Sequence, residues 1–271
     1  MSKLMSSDFL NENMDKYTIL DCRFSLGDKE YGRNAYNTEH IENAVFIDFE
    51  NELSSKIGGH GGRHPLPNVE KFISAMEKHG ISDSTEVVIY DDGDLAGAGR
   101  LWWLFKYIGK ENVYVLDGGL PVWKKKGYKT SNKEYKAEVS GKLSADTQTN
   151  ILCDVNYVKA KLNDPDTVLV DSRAAERYQG LTEPVDRIPG HIPGAVNFPY
   201  GEAIVDGVVM NREELNSRFK SLTNKNIVVY CGSGVTGCVN FLLLEEIGLK
   251  PVLYSGSYSD WVSSPENEVE K

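Results

Sequence analysis

A cysteine opens a glycine-rich loop at residues 231–238, and this segment carries the clearest chemistry in the sequence. Cys231 follows an apolar run that predicts a buried strand, and an apolar stretch that predicts a helix follows the loop. Gly232, Gly234 and Gly237 let the backbone curl with its N–H groups pointing inward at a helix N-terminus. Such a nest lowers the pKa of a thiol at its mouth. The loop therefore predicts a nucleophilic cysteine, and a structural turn with a buried thiol is the alternative.

Strand and helix patterns alternate on both sides of this loop and indicate an α/β protein. Short β-branched runs at 87–90 and 227–230 precede apolar helical stretches at 101–108 and 239–247, each closed by a glycine. Such runs are typical of parallel strands that are buried on both faces, and glycine is common after a helix C-terminus. The carboxyl end of a strand in an open α/β sheet is where ligands bind. The predicted fold thus places Cys231 at a ligand-binding edge.

The chain contains two copies of one pattern. Four blocks recur in the same order, about 140 to 150 residues apart. Their paired positions are Asp21 and Asp171, His40 and His191, Tyr90 and Tyr230, and Gly118 and Gly256. We therefore predict two tandem α/β domains at 1–128 and 151–271, each a parallel β-sheet flanked by helices. The polar segment 129–150 is predicted to link them.

Composition excludes several classes of protein. A formal net charge of −10 with 40% hydrophobic residues fits a globular protein and argues against a nucleic-acid or anionic-membrane partner. No apolar run is long enough to span a membrane, and no signal peptide is predicted. Four cysteines without a Cys-x-x-Cys spacing predict reduced thiols in a cytoplasmic protein.

We expect no cofactor and no metal. His60 and His64 lie in the glycine-rich segment 58–65, which could suggest metal binding, but a third ligand is not nearby. The segment is more typical of an ordered interdomain loop, from which Arg63 would reach the cleft.

Along essentially its whole length, the chain resembles the two-domain sulfurtransferases of the rhodanese and 3-mercaptopyruvate sulfurtransferase family. The motifs that carry the resemblance are Asp171-Ser172-Arg173, Arg177-Tyr178, Gly190-His191-Ile192-Pro193-Gly194-Ala195, Cys231-Gly232-Ser233-Gly234-Val235-Thr236, Arg100-Leu101-Trp102-Trp103 and Leu116-Asp117-Gly118-Gly119. The resemblance implies two rhodanese-like domains and a sulfane sulfur that Cys231 carries as a persulfide. The donor would be a small molecule, and the acceptor a thiol, cyanide, or a thioredoxin-like or other protein thiol.

The first copy is expected to be inactive. Asp91 stands where the second copy has Cys231, and Asp92 and Asp94 follow it. A carboxylate cannot accept sulfur, and three acidic residues would repel an anionic donor. As in the family, this domain would serve as one wall of the cleft.

The residues after the nucleophile indicate the donor. Gly232 and Ser233 stand where thiosulfate-preferring members of the family have two basic residues, so the loop resembles the branch that uses 3-mercaptopyruvate. In that branch two arginines hold the carboxylate and ketone of the donor, and the matching positions are Arg177 and, across one residue of length difference, Arg187. A surface salt bridge to Glu183 or Asp186 is the alternative role for these arginines. The predicted substrate site also includes Gly232, Gly234, Val235 and Thr236 of the loop.

The same branch uses a serine, a histidine and an aspartate to manage protons as pyruvate leaves. Ser233 matches the serine, and His40 matches the histidine, which would require the two domains to meet at the active site. His40 has an alternative role as an anchor of its turn, because its repeat partner His191 lies in a similar turn. Asp28 is the nearest aspartate that matches the third member.

Three other functions stay open. The protein could act as a thiosulfate:cyanide sulfurtransferase, or as a persulfide carrier to a protein acceptor. A cysteine phosphatase or arsenate reductase would need an arginine six residues after the nucleophile, where this chain has Gly237.

Overall fold

The computed structural model describes residues 2–137 and 139–271, which form short strands and helices in alternation. In chain order the strands are β1 (Leu4–Met5), β2 (Thr18–Asp21), β3 (His40–Ile41), β4 (Val45–Phe46), β5 (Val87–Tyr90), β6 (Val113–Leu116), β7 (Thr130–Ser131), β8 (Leu152–Cys153), β9 (Thr167–Asp171), β10 (Val196–Asn197), β11 (Ile204–Val205), β12 (Val208–Val209), β13 (Asn226–Tyr230) and β14 (Val252–Tyr254). The α-helices are α1 (Ser7–Glu12), α2 (Tyr31–Thr38), α3 (Phe49–Glu52), α4 (Val69–Lys78), α5 (Ala96–Tyr107), α6 (Gly119–Lys125), α7 (Val155–Lys161), α8 (Ala175–Tyr178), α9 (Arg212–Arg218), α10 (Gly237–Glu246) and α11 (Ser257–Trp261).

The chain divides into two compact units. Unit 1 consists of Met1–Ser55, Pro67–Gln148 and Asp206–Val209. Unit 2 consists of Lys56–Leu66, Thr149–Val205 and Met210–Lys271. Residues 56–66, which belong to the first sequence repeat, therefore group with the second unit. The domain boundaries at 128 and 151 stay a prediction.

Each unit contains one five-stranded parallel sheet, and the two sheets have the same strand order. In unit 1 the order is β1-β6-β5-β2-β4, and in unit 2 it is β8-β14-β13-β9-β10. Every neighbouring pair in both sheets is parallel. The predicted α/β fold with a parallel sheet in each of two copies is confirmed.

Burial of the central strand and its following helix explains the apolar patterns around the loop. In β13, Ile227, Val228 and Val229 are at most 2% exposed. Helix α10 is buried along Gly237–Leu244, so it has no polar face over these residues. A strand and a helix buried on all sides form a rigid support for the loop between them.

A buried ion pair between an aspartate and the arginine two residues later lies beside each central strand. Asp171 Oδ2 lies 2.6 Å from Arg173 Nη2, and both side chains are at most 1% exposed. The Asp21–Arg23 pair repeats this arrangement at 2.7 Å in unit 1.

Within the described residues, no helix is long and apolar enough to cross a membrane.

Candidate active site

Cys231 lies between the end of β13 and the start of α10. Its side chain is 2% exposed, and its thiol is free of any disulfide. The backbone N–H of Gly234 donates to Cys231 Sγ over 3.1 Å. The glycine-rich loop therefore wraps around its own first residue, as its sequence predicted.

The loop favours the ionised form of this thiol. Burial raises the pKa of Cys231, but the hydroxyl of Thr236 and the N–H groups of Ser233, Gly237 and Gly234 outweigh it, so the pKa is lowered overall. These donors stabilise the negative charge on sulfur where water cannot. By contrast, burial raises the pKa of Cys22 well above that of a free thiol and raises the pKa of Cys153 to about 12. Of these three thiols, only Cys231 has surroundings that favour the thiolate.

The turn that follows β14 fixes the other side of the loop. Gly234 has a φ of +77°, and a Cβ there would collide with the carbonyl oxygen of Ser255. Ser257 accepts the backbone N–H of Cys231 at 3.1 Å, and its Oγ lies 3.9 Å from Cys231 Sγ. Ser257 also has a positive φ of 58°, which is uncommon outside glycine. Because such a backbone conformation persists only where the surrounding structure enforces it, the position of Ser257 next to the nucleophile is tightly constrained.

The segment 56–66 of unit 2 lies against this same turn. Gly61 donates its N–H to Asp260 Oδ1 over 2.9 Å, and Arg63 donates its N–H to Ser259 Oγ over 3.1 Å. Gly62 has a φ of +72°, and a Cβ there would collide with the backbone of the turn at Gly256. The glycines of this segment therefore permit the close approach that brings the next two side chains to the loop.

His64 lies against the serine of the nucleophile loop. Its Nδ1 is 2.7 Å from Ser233 Oγ, and both side chains are buried. The sequence prediction gave the histidine role to His40. In the structure, Nδ1 of His40 lies 2.6 Å from the carbonyl oxygen of Tyr36, and Nε2 lies 3.1 Å from that of Lys133. These contacts, and the stacking of His40 on Tyr36, fit its alternative role as an anchor of the turn.

Two arginines and two carboxylates form a cluster beside Gly232. Arg177 donates from Nη2 to Glu183 Oε1 over 2.7 Å and to Asp186 Oδ2 over 3.0 Å. Nη1 of Arg63 pairs with the other oxygen of Asp186. The carboxylates are 2–3% exposed, whereas Arg177 and Arg63 are 19% and 25% exposed. The ion pairs that the sequence suggested as an alternative for Arg177 are present, but they are buried and border the nucleophile loop.

Other predicted site residues have different surroundings. Arg187 donates from Nη2 to the carbonyl oxygen of Val262 over 2.8 Å. Val235 is buried, and its carbonyl oxygen accepts the N–H of Cys238. Asp28 is exposed and accepts the N–H of Glu30 over 3.0 Å within unit 1. The roles of Arg187, Val235 and Asp28 stay predictions.

In unit 1 the equivalent loop surrounds a carboxylate. Asp91 accepts the N–H groups of Gly93 and Ala98 at 2.9 and 3.0 Å, and a longer one from Leu95 at 3.3 Å. Burial, followed by the charge of Asp94, raises the pKa of Asp91 to about 7 against these donors. The backbone nest is therefore retained in this copy, with a side chain that lacks sulfur.

The sequence did not assign His64, Asp186 or Ser257 to the site. The glycines at 58–62 were the available signal for His64, because positive φ values allow a loop to approach a second element closely. Ser257 aligns with Gly119 of the first copy, and a serine at a position where the other copy has glycine was the available sign of a special role for Ser257. Among the described residues, no group of three or more His, Cys, Asp or Glu side chains could hold a metal ion.

Together the fold and the loop define a duplicated α/β protein with an activated cysteine at the carboxyl edge of its second sheet. The family model of the rhodanese-like domain matches residues 6–126 and again 154–264. The chain belongs to the rhodanese family, and it is a two-domain sulfurtransferase.

Three relatives illustrate this membership. A Pseudomonas aeruginosa protein, provisionally named a 3-mercaptopyruvate sulfurtransferase, is 39% identical over 259 residues, which cover 93% of this chain and 91% of that protein. A Mycobacterium tuberculosis protein, provisionally named the thiosulfate sulfurtransferase SseB, is 36% identical over 266 residues, with 94% and 91% covered. The crystal structure of SseA from Escherichia coli, described as having the rhodanese fold of 3-mercaptopyruvate sulfotransferases, superposes with a TM-score of 0.84. It is 30% identical, and the match covers 96% of this chain and 100% of that chain.

Proposed function

We propose that the protein transfers sulfane sulfur from 3-mercaptopyruvate to a thiol or cyanide through a persulfide on Cys231. The observation that carries this proposal is the set of hydrogen bonds to Cys231 Sγ, which lowers the pKa of the thiol inside a buried loop. A thiolate nucleophile divides sulfur transfer into two easier displacements. The same N–H groups would hold the negative charge of a persulfide.

In the first displacement, the Cys231 thiolate attacks the thiol sulfur of the donor. The new S–S bond forms as the donor C–S bond breaks, and the bonding pair leaves with carbon as the enolate of pyruvate. A proton added to this carbon gives pyruvate, and the proton of the transferred sulfur is lost when the persulfide ionises. In the second displacement, an acceptor thiolate or cyanide attacks the outer sulfur and releases the Cys231 thiolate.

We assign the proton transfer to His64 and Ser233. The contact of 2.7 Å between His64 Nδ1 and Ser233 Oγ is within hydrogen-bond distance, which a proton path requires. Ser233 is the second residue after Cys231, and its backbone N–H is among the donors to the sulfur, so this contact lies at the nucleophile loop. The contacts of His40 with two backbone carbonyls favour a structural role for that residue.

Thiosulfate is a second candidate donor. The guanidinium groups of Arg63 and Arg177 beside Gly232 would also attract a small dianion, and the Mycobacterium tuberculosis relative carries that donor in its name. We also propose that unit 1 is inactive, because Asp91 replaces the nucleophile, and that the protein works in the cytoplasm, where its four thiols stay reduced.

The test compares the two donors with one protein. Pyruvate release from 3-mercaptopyruvate with a thiol acceptor, and thiocyanate formation from thiosulfate with cyanide, give kcat/KM for each. We expect the higher value for 3-mercaptopyruvate and no activity in Cys231→Ser. A higher value for thiosulfate would make it the donor, and full activity in Cys231→Ser would exclude the persulfide route.

A further inference from the structure

We propose that Asp260 is a positioning residue for the proton transfer, because its carboxylate anchors the segment 56–66, which carries His64. The inference rests on the proposed role of His64 as the partner of Ser233 in that transfer. It concerns a buried residue of α11 that acts on the reaction through the position of another side chain.

Each oxygen of the Asp260 carboxylate accepts a hydrogen bond from a different part of unit 2. Oδ1 accepts the backbone N–H of Gly61 over 2.9 Å, and Oδ2 accepts the hydroxyl of Tyr254 over 2.7 Å. Tyr254 is the last residue of β14 and is 1% exposed, so it belongs to the core of the unit. The carboxylate therefore connects the segment 56–66 to the end of a buried strand.

Burial makes these two hydrogen bonds strong. Asp260 is 6% exposed, and a carboxylate removed from water is stable only where donors or cations compensate for the lost hydration. Burial and the hydrogen bond to Asp260 raise the pKa of Tyr254 above that of free tyrosine, so its hydroxyl remains a donor. Nδ1 of His60 lies 3.9 Å from Oδ1, but His60 is 84% exposed and contributes little. The segment is thus held by a charge-assisted bond to its backbone.

The first copy shows that the turn itself does not need a carboxylate at this position. Val122 is the equivalent of Asp260, because the paired glycines of the two turns are Gly118 and Gly256. A Cβ on Gly118 would lie 2.3 Å from Val122 Cγ2, and a Cβ on Gly256 would lie 2.5 Å from Asp260 Oδ2. The two side chains cover their glycines in the same way, so valine is sufficient for that packing. The carboxylate occurs in the copy that contains the nucleophile.

The anchored backbone leads directly to His64. Gly61, which donates to Asp260, lies three residues before His64 in the chain. Arg63, the residue just before His64, donates its N–H to Ser259 Oγ over 3.1 Å. Two consecutive residues of α11 therefore fix the backbone on the N-terminal side of the histidine.

The same helix also holds the nucleophile loop. The N–H of Ser259 donates to the carbonyl oxygen of Gly232 over 2.9 Å. Because α11 carries both the loop and the segment 56–66, the attachment of this segment sets the separation of His64 from Ser233. Their contact of 2.7 Å between Nδ1 and Oγ thus depends on the anchor.

Amide hydrogen exchange followed by mass spectrometry tests the anchor without any substrate. Asp260→Val introduces the residue of the first copy and removes both acceptor oxygens. The N–H of Gly61 should then exchange roughly ten- to hundredfold faster, the effect of one lost hydrogen bond to a charged group. Asp260→Asn keeps an oxygen for Gly61 and an amino group for Tyr254 but not the charge, so its exchange rate should lie between those of the wild type and Asp260→Val. The exposed Asp166→Ala is the matched control, with the wild-type rate expected.

Kinetics at a saturating donor concentration then connect the anchor with His64. Asp260→Val should lower kcat for pyruvate release about tenfold or more, but not below the kcat of His64→Gln. The variant that combines both changes should have the kcat of His64→Gln alone, because Asp260 acts only through that histidine. Asp260→Asn should recover most of the wild-type kcat, since it keeps both hydrogen bonds.

Wild-type exchange of Gly61 in Asp260→Val, or exchange in Asp260→Asn as fast as in Asp260→Val, would overturn the inference. A combined variant with a kcat far below that of His64→Gln would overturn it too, because Asp260 would then act by another route. If Asp260→Val does not fold, rapid exchange throughout β13 will reveal this, and Asp260→Ala replaces it with the same deciding outcomes.

The outcome is separate from the proposed function. Faster exchange of Gly61 in Asp260→Val, with no pyruvate released from 3-mercaptopyruvate by the wild type, would refute the donor and keep the anchor. Pyruvate release by the wild type, with wild-type exchange in Asp260→Val, would keep the donor and refute the anchor.

Discussion

The hydroxyl of Thr236 should control how easily Cys231 ionises. Among the hydrogen bonds to the sulfur, that of Thr236 lowers the pKa of Cys231 the most. Thr236 also precedes α10, but its side chain makes no capping hydrogen bond, so its removal should hardly affect the helix. Thr236→Val replaces the hydroxyl by a methyl group of similar size and leaves the N–H donors of the loop in place.

A hydrogen bond to a charged group is worth about 1.5–3 kcal/mol, so the acid ionisation constant of the thiol should fall roughly ten- to hundredfold. The rate of iodoacetamide alkylation of Cys231 as a function of pH measures this constant. The raised pKa values of the buried Cys22 and Cys153 keep them unreactive near neutral pH. Thr223→Val, at an exposed position, is the control. A Thr236→Val profile that overlays the wild type, or moves to lower pH, would refute the hydrogen-bond account of the thiolate.

Three further predictions concern His64, Gly62 and Asp91. His64→Gln should lower kcat for pyruvate release about 10²- to 10⁴-fold while iodoacetamide still alkylates Cys231, and unaltered turnover would remove His64 from the proton path. Gly62→Ala should lower the free energy of unfolding in urea by about 1–3 kcal/mol, because of its positive φ and the collision at Gly256; wild-type stability would contradict that packing. The pKa of Asp91, raised to about 7 from 3.8 by burial and Asp94, means that the folded state holds this proton more tightly. The stability that this group contributes is fully present below about pH 4 and is lost as the pH rises through 7. Between pH 5 and pH 8, Asp91→Asn should therefore lose less free energy of unfolding than the wild type. Equal losses for the two proteins in urea titrations would contradict this prediction.

The sequence was sufficient for the fold because the signal is local and repeated. The apolar runs of β13 and α10 are contiguous, and each has a counterpart in the first copy. The loop between them was equally predictable, because three glycines within eight residues of Cys231 indicate a backbone whose N–H groups point inward. The order of the strands within each sheet was not predicted from the sequence and comes from the structure.

The partners of the loop were harder to predict because they come from elsewhere in the chain. His64 precedes Ser233 by 169 residues, and Arg63 precedes Asp186 by 123. No periodicity in the sequence connects positions so far apart. The turn at Ser259, whose hydroxyl accepts the N–H of Arg63, meets the segment 56–66 only through tertiary packing. The family resemblance therefore identified the chemistry of the site, whereas only the structure identified the histidine that contacts Ser233.

Mass spectrometry of the protein after incubation with 3-mercaptopyruvate, without an acceptor, tests the central claim most directly. We predict one added sulfur atom on the peptide that contains Cys231, one pyruvate released per added sulfur, and loss of that sulfur when a thiol is supplied. The Cys231→Ser protein should gain none. Pyruvate released without sulfur on Cys231, or sulfur carried by Cys22, Cys153 or Cys238 in its place, would contradict the account.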